Sequence, residues 1–221
     1  MPERKRKMVV KTLGSLAGTS LQKVDPFLDY SPSIYTDIRP PPYDLNQLAE
    51  MSEIHPIHSA ALEQKTYDIV GQGYALEGLE GADEYQRERI MYWWKSCFRD
   101  KDSIEALLSV WRDYETLGWG AMEVVRDTRQ RVRQIFHVHA NTLRVAKDDR
   151  FIVQLADNKM TFFKRWHPEI DVDERFYSKN GKPAPDDAPT DALATEILLF
   201  TPGSRWSEFY GVPGYLSLIH I

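Results

Sequence analysis

An α+β fold, with N-terminal helices followed by an antiparallel β-meander, follows from two periodicities and their order. Apolar residues recur at helical spacing as far as Leu117, and from Ala121 to Trp166 they alternate in twos. Helices that precede strands, instead of alternating with them, exclude a parallel βαβ architecture.

Order begins at Asp44, which can cap a helix over Leu45 to Ile54, with Gln47 placed for a capping-box-like return. His55-Pro56 breaks that helix, because the residue before a proline is pushed out of the helical region. A second helix is expected from about Ile57 to Val70, ended by Gly71 and Gly73, with a short extended piece over Tyr74 to Glu77. Next, Ile90, Trp93, Trp94, Cys97 and Phe98 form a helical apolar stripe opposite Arg87, Glu88 and Lys95. Asp102 and Glu105 make a capping-box pair for a fourth helix, whose Ile104, Leu107, Leu108, Trp111 and Tyr114 share one side. Both sets of aromatics are expected in the core.

Gly118 and Gly120 stop that helix, and the period changes to that of strands. Five short strands are predicted: Ala121 to Arg126, Arg131 to Val138, Leu143 to Ala146, Phe151 to Leu155 and Met160 to Trp166. Turns at Asp127-Thr128, Lys147-Asp148-Asp149 and Asp157-Asn158 divide them. Residues 168–192, rich in Pro, Asp and Lys, read as an exposed excursion with a turn at Asn180-Gly181 and one small hairpin around Phe176-Tyr177. Ala194 to Phe200 is a further strand. Pro213 sits at a helix start, so the C-terminal end reads as the first turn of a further helix.

The chain has 221 residues, with 28 Lys+Arg against 33 Asp+Glu and a formal charge of −5. That excludes a globally basic nucleic-acid binder and leaves a local patch open. One cysteine, Cys97, cannot form an internal disulfide or a four-cysteine zinc site. On its apolar stripe it reads as a buried, inert thiol. No apolar run approaches the ~20 residues that span a bilayer, so no membrane partner is expected. The basic start Arg4-Lys5-Arg6-Lys7 and the Pro-rich Arg39-Pro40-Pro41-Pro42 mark residues 1–43 as an extended arm.

Phosphate-loop, nucleophile-elbow and His-Glu-x-x-His motifs are absent, which leaves an enzyme reading without its common supports. The best metal-like constellation is His137-x-His139 with His167, Asp171 and Asp173. Two imidazoles on one strand face plus a carboxylate could hold a divalent ion and activate water, as a metal-dependent hydrolase would. Against it, two strand histidines ordinarily make an exposed polar face, and Arg131 and Arg133 would repel a cation. His55 and His58 lack a visible third ligand. Asp171-x-Asp173-Glu174 lacks the glycine and closing glutamate of a calcium loop. A second alternative is a single-strand nucleic-acid binding module, with Arg131, Arg133, His137 and His139 on the backbone and Phe162 and Phe163 stacking bases. No catalytic, cofactor or metal residue is assigned on these grounds, and no cofactor is expected.

Several segments, taken in order, resemble the portal proteins of tailed bacteriophages and prophages, particularly the PBSX-like group. They are Tyr43-Asp44-Leu45-Asn46-Gln47-Leu48-Ala49-Glu50-Met51, Ile69-Val70-Gly71 through Gly73-Tyr74, the run from Asp113 through Leu117-Gly118-Trp119-Gly120 to Asp127, His139-Ala140-Asn141-Thr142-Leu143-Arg144, and Tyr210-Gly211-Val212-Pro213. The resemblance covers about residues 40–216. It implies a structural, non-enzymatic virion protein forming a ring, usually of twelve subunits, at one capsid vertex. The terminase large subunit would pump double-stranded DNA through that ring without sequence readout, and head-tail connector proteins would attach to it. Major capsid and scaffold proteins are the other implied partners. Residues 44–215 would correspond to the wing region, made in the host cytoplasm and carried into the particle.

The family continues past this point into a stem, a clip, a tunnel-lining loop and often a crown. The ending Leu216-Ser217-Leu218-Ile219-His220-Ile221 looks like translated adaptor read-through, so residues 216–221 are expected to be truncated and in part non-native. The chain is then expected to be the front part of a longer subunit.

Overall fold

The structure is a computed structural model that describes residues 38–78, 81, 83–98, 101–147, 151–156, 159–166, 177–182, 184–185, 188–189, 192–202 and 210–216. The α+β class holds: among the described residues, four α-helices precede most of a seven-stranded, largely antiparallel sheet. Helix α1 (Leu45–Ile54) is capped by Asp44, whose Oδ1 accepts from the backbone N–H groups of Asn46 and Gln47 at 2.9 and 3.1 Å. The extended backbone of His55 then lets Pro56 open helix α2 (Pro56–Val70), where its missing N–H costs nothing. Helix α3 (Glu84–Cys97) starts on Asp83, and helix α4 (Ser103–Leu117) starts on Asp102. Gly118, at φ 82°, closes α4 in the left-handed conformation that favours glycine.

The strands are β1 (Ile38–Arg39), β2 (Gly120–Arg126), β3 (Val132–Val138), β4 (Leu143–Ala146), β5 (Phe151–Ala156), β6 (Lys159–Arg165) and β7 (Glu196–Phe200). Strand limits agree with the period-2 reading to within one or two residues. A simple meander does not. The sheet order is β1-β4-β5-β6-β7-β2-β3, so a β2–β3 hairpin and a β4-β5-β6 meander are joined by β7, which pairs antiparallel with β2 and parallel with β6. Alternation reports which residues share a face, not which strand lies beside which. The excursion carries the chain back to a place between two strands it had already laid down. Near the end of the expected arm, Ile38 and Arg39 pair with Ala146 and Val145 as the edge strand, and residues 1–37 lie outside the described residues.

This order bends the sheet. Five inter-strand steps separate β3 from β4, about 24 Å in a flat sheet, yet the five Cα steps from Val138 to Leu143 reach at most about 18 Å. The sheet therefore curls, and its concave side holds the main core of Trp119, Ala121, Val138, Leu143, Val145, Ile152, Phe163 and Ile197, with Leu45 and Leu48 of α1. A second cluster lies on the opposite face of β2, where Met122 and Ile135 meet Ala106 and Val110 of α4 and Cys97 and Phe98.

The predicted stripes need correction. On α3 only Cys97 is fully buried, while Ile90 and Trp93 are 49% and 44% exposed. On α4 the sheet-facing row is Ser103, Ala106, Val110 and Leu117, and the larger Ile104, Leu107, Leu108, Trp111 and Tyr114 are half-buried. Small residues win that row because the backbones approach closely: a Cβ on Gly120 would lie 2.6 Å from the Val110 carbonyl oxygen. The Asn180-Gly181 turn is present, with Gly181 at φ 76°. The Asp157-Asn158 turn, most of the Lys147-Asp148-Asp149 turn, Phe176 and residues 217–221 lie outside the described residues.

Candidate functional site

Segments far apart in sequence close on one another around Trp119. Trp119 is fully buried and meets the Tyr210 ring edge-on, with centroids 5.1 Å apart. The Tyr210 hydroxyl donates to the Arg39 carbonyl at 2.6 Å and accepts the Val145 N–H at 2.9 Å, tying the edge strand, β4 and the C-terminal element together. Tyr43 donates to the Leu117 carbonyl at 3.0 Å, and its hydroxyl also reaches the Gly211 carbonyl. Tyr215 donates to the Thr116 carbonyl at 2.7 Å and packs its ring edge against His58, 4.5 Å between centroids.

Helix ends explain this arrangement. The last carbonyls of α4 have no intrahelical partner and take side-chain donors instead. Gly118 makes room for them: a Cβ there would lie 2.6 Å from backbone atoms of Gly211, Val212 and Pro213. Burial raises the Tyr43 hydroxyl far above its usual value, helped by the neighbouring Tyr215 and Tyr210, and raises Tyr215 to about 12. Both stay protonated, as their roles as donors require. Burial similarly lowers His58, with His55 adding to the effect, and raises Cys97, in keeping with an inert thiol.

A second polar centre pins the middle of α4 to the end of β3. Asp113 Oδ2 lies 2.9 Å from His137 Nε2 and accepts the Ala140 N–H at 2.9 Å, at the start of a 3₁₀ turn over Ala140–Thr142. His139 sits beside His137, ring centroids 4.8 Å apart. One ligand atom each from Asp113, His137 and His139 lie within 4.8 Å of one another. Asp113 was missing from the sequence-derived set, although it falls on the Ser103, Ala106, Val110, Leu117 row, where a carboxylate is out of place. His167, Asp171 and Asp173, proposed as further ligands, lie outside the described residues.

The basic stacking face does not assemble. Phe163 is buried in the main core, and Phe162 packs against a separate cluster with Phe151 and Val153. Arg131 turns back onto Asp127 at 2.9 Å, and Arg133 is exposed. Elsewhere, charge pairs join elements: exposed Lys65 of α2 meets buried Glu115 of α4 at 2.6 Å, and Arg126 of β2 meets Glu196 of β7 at 2.8 Å. Among the described residues, no helix is long and apolar enough to cross a membrane.

Among the described residues, one stretch of surface on α3 is apolar and exposed. On α3, Tyr85, Ile90, Tyr92 and Trp93 are exposed, and Ile90, Trp93 and Trp94 line an apolar groove with Tyr74 and Leu76.

No family model matches the chain. It is 24% identical over 227 aligned positions to the uncharacterized protein YqbA of Bacillus subtilis (strain 168), a match covering 86% of this chain and 43% of that protein. Among solved structures, a chain from the virion of a native gene transfer agent particle shares the fold with a TM-score of 0.56 at 10% identity, over 82% of this chain and 42% of that one. A chain from the neck of an empty gene transfer agent particle overlays with a TM-score of 0.45 at 12% identity, over 57% of this chain and 38% of that one. The chain thus spans less than half the length of the relatives it matches.

Proposed function

We propose that this chain is the wing-bearing part of a portal-type structural subunit of a tailed-phage or prophage particle. The observation that carries the reading is the fold shared with a virion chain over 82% of the present one, at a TM-score of 0.56. The place where the portal-like segments meet supports it. Tyr43, Leu117-Gly118-Trp119 and Tyr210-Gly211 are scattered over the sequence, and they form one interlocked node.

In this reading the full subunit closes with copies of itself into a ring at a capsid vertex, through head-to-tail contacts. Double-stranded DNA passes through the ring during packaging by the terminase and during ejection, and the head-tail connector attaches to it. Capsid and scaffold proteins surround it in the particle. The ring is a conduit and carries no catalytic step of its own. The charge of −5 then belongs to the wing part and not to the channel that carries DNA. The exposed aromatics of α3 supply an apolar surface for assembly with further protein.

The test is to express the full-length subunit and examine it by electron microscopy. Closed rings are the expected result. A full-length protein that is monomeric across a range of salt concentrations overturns the reading, as does a native stop codon directly after Ile221.

A further inference from the structure

We propose that Asp113, His137 and His139 form a binding site for one divalent transition-metal ion of the zinc class, which clamps the middle of α4 to the end of β3. The proposal is independent of the portal reading and assigns the ion a structural role.

Three features carry it. The donor set comes first: two imidazoles and a carboxylate suit zinc, cobalt or nickel, and exclude magnesium and calcium, which need oxygen shells. Convergence is the second. One ligand atom from each residue already lies within 4.8 Å of the others, and the Asp113–His137 pair is at 2.9 Å. Ligands about 2.0–2.1 Å from a tetrahedral zinc stand about 3.4 Å apart, so closing the site asks only that the exposed His139 ring move inward. His139 is the residue free to make that adjustment, because it is exposed and His137, with 6% of its side chain exposed, is fixed.

Preorganisation is the third. The Ala140 N–H holds the Asp113 carboxylate in place, as outer-shell hydrogen bonds do for metal-bound carboxylates. Both histidines also line a cleft with Phe98, Ala106 and Ile135, which leaves space for a fourth ligand. Lys101 lines the same cleft, with its Nζ 3.5 Å from Ser109 Oγ, and its charge favours an anion in that fourth position. Without metal, His137 Nε2 and Asp113 Oδ2 share a hydrogen bond. Binding would replace that contact with two metal–ligand bonds, with His137 binding through Nε2.

The experiment is a titration of the chelator-stripped chain with Zn2+ by calorimetry, repeated with Co2+ to read its ligand-field absorption. One equivalent should bind, with a tetrahedral Co2+ spectrum and a raised Tm. His139→Ala removes an exposed ring and keeps the fold, which circular dichroism checks, and it should weaken Zn2+ binding at least about tenfold. Asp113→Asn should weaken it as well, and the double change His55→Ala with His58→Ala should leave it unaltered. Uptake of no Zn2+, equal affinity in the folded His139→Ala variant, or loss of binding in the His55/His58 variant instead overturns the proposal.

Discussion

The node around Trp119 and the surface of α3 use the same residue types to opposite ends. At the node, Tyr43, Trp119, Tyr210 and Tyr215 are buried or half-buried, and the three tyrosine hydroxyls hold carbonyls from distant segments. On α3, Tyr85, Tyr92 and Trp93 stand exposed on a helix that the fold anchors chiefly through Cys97 and Phe98 at its end. Aromatic content alone therefore does not mark a core. For the tyrosines, what separates the two regions is whether backbone groups from other segments come within reach of the hydroxyl.

The comparison breaks most readily at Gly118. Gly118→Ala combines a left-handed backbone with a Cβ pressed on the Gly211–Pro213 backbone, and should destabilise the chain by about 3 kcal/mol in urea unfolding. A loss below about 1 kcal/mol would mean that the two segments are not locked together. Tyr210→Phe keeps the ring stack and removes one hydroxyl that serves Arg39 and Val145. It should cost about 2 kcal/mol, because a buried N–H loses its acceptor.

A smaller effect is expected at the β2–β3 turn. Backbone N–H groups of Arg131 and Arg129, with the Arg131 side chain, hold the Asp127 carboxyl below its ordinary value. A depressed folded-state pKa adds stability above the unfolded value, about 3.9, which is lost as pH falls through the folded one. Asp127→Asn should therefore lower stability at neutral pH and flatten the acid side of the profile, so that variant and parent converge as pH falls below about 4. Least of all for stability, Trp93→Ser on α3 should shift unfolding by no more than about 0.5 kcal/mol. Its consequence should instead be lost self-association of the full-length subunit, read by sedimentation. A large loss of stability in that variant would show that Trp93 belongs to a core after all.

Much of the local structure was legible in the sequence. The caps Asp44 and Asp102, the Pro56 break, the Gly118 stop and the limits of β2 to β6 rest on short-range chemistry between neighbours. The order of the strands was not, because the insertion of β7 depends on where a long excursion returns. Nor was the sheet-facing row of α4, since its Ala106 and Val110 are chosen by close backbone approach and not by hydrophobicity. The paired histidines were visible as His137-x-His139, while Asp113 reaches them from 24 positions earlier, through the packing of α4 on β3. The portal-like segments were legible as an ordered set, and only the fold shows that they meet.

The central claim is that a chain of this fold is built for assembly into a ring. Light scattering on the full-length subunit, of which this chain is proposed to be the wing-bearing part, tests it most directly. A homogeneous ring of several hundred kilodaltons that resists changes in salt is the predicted result, and a stable monomer under the same conditions would contradict the account.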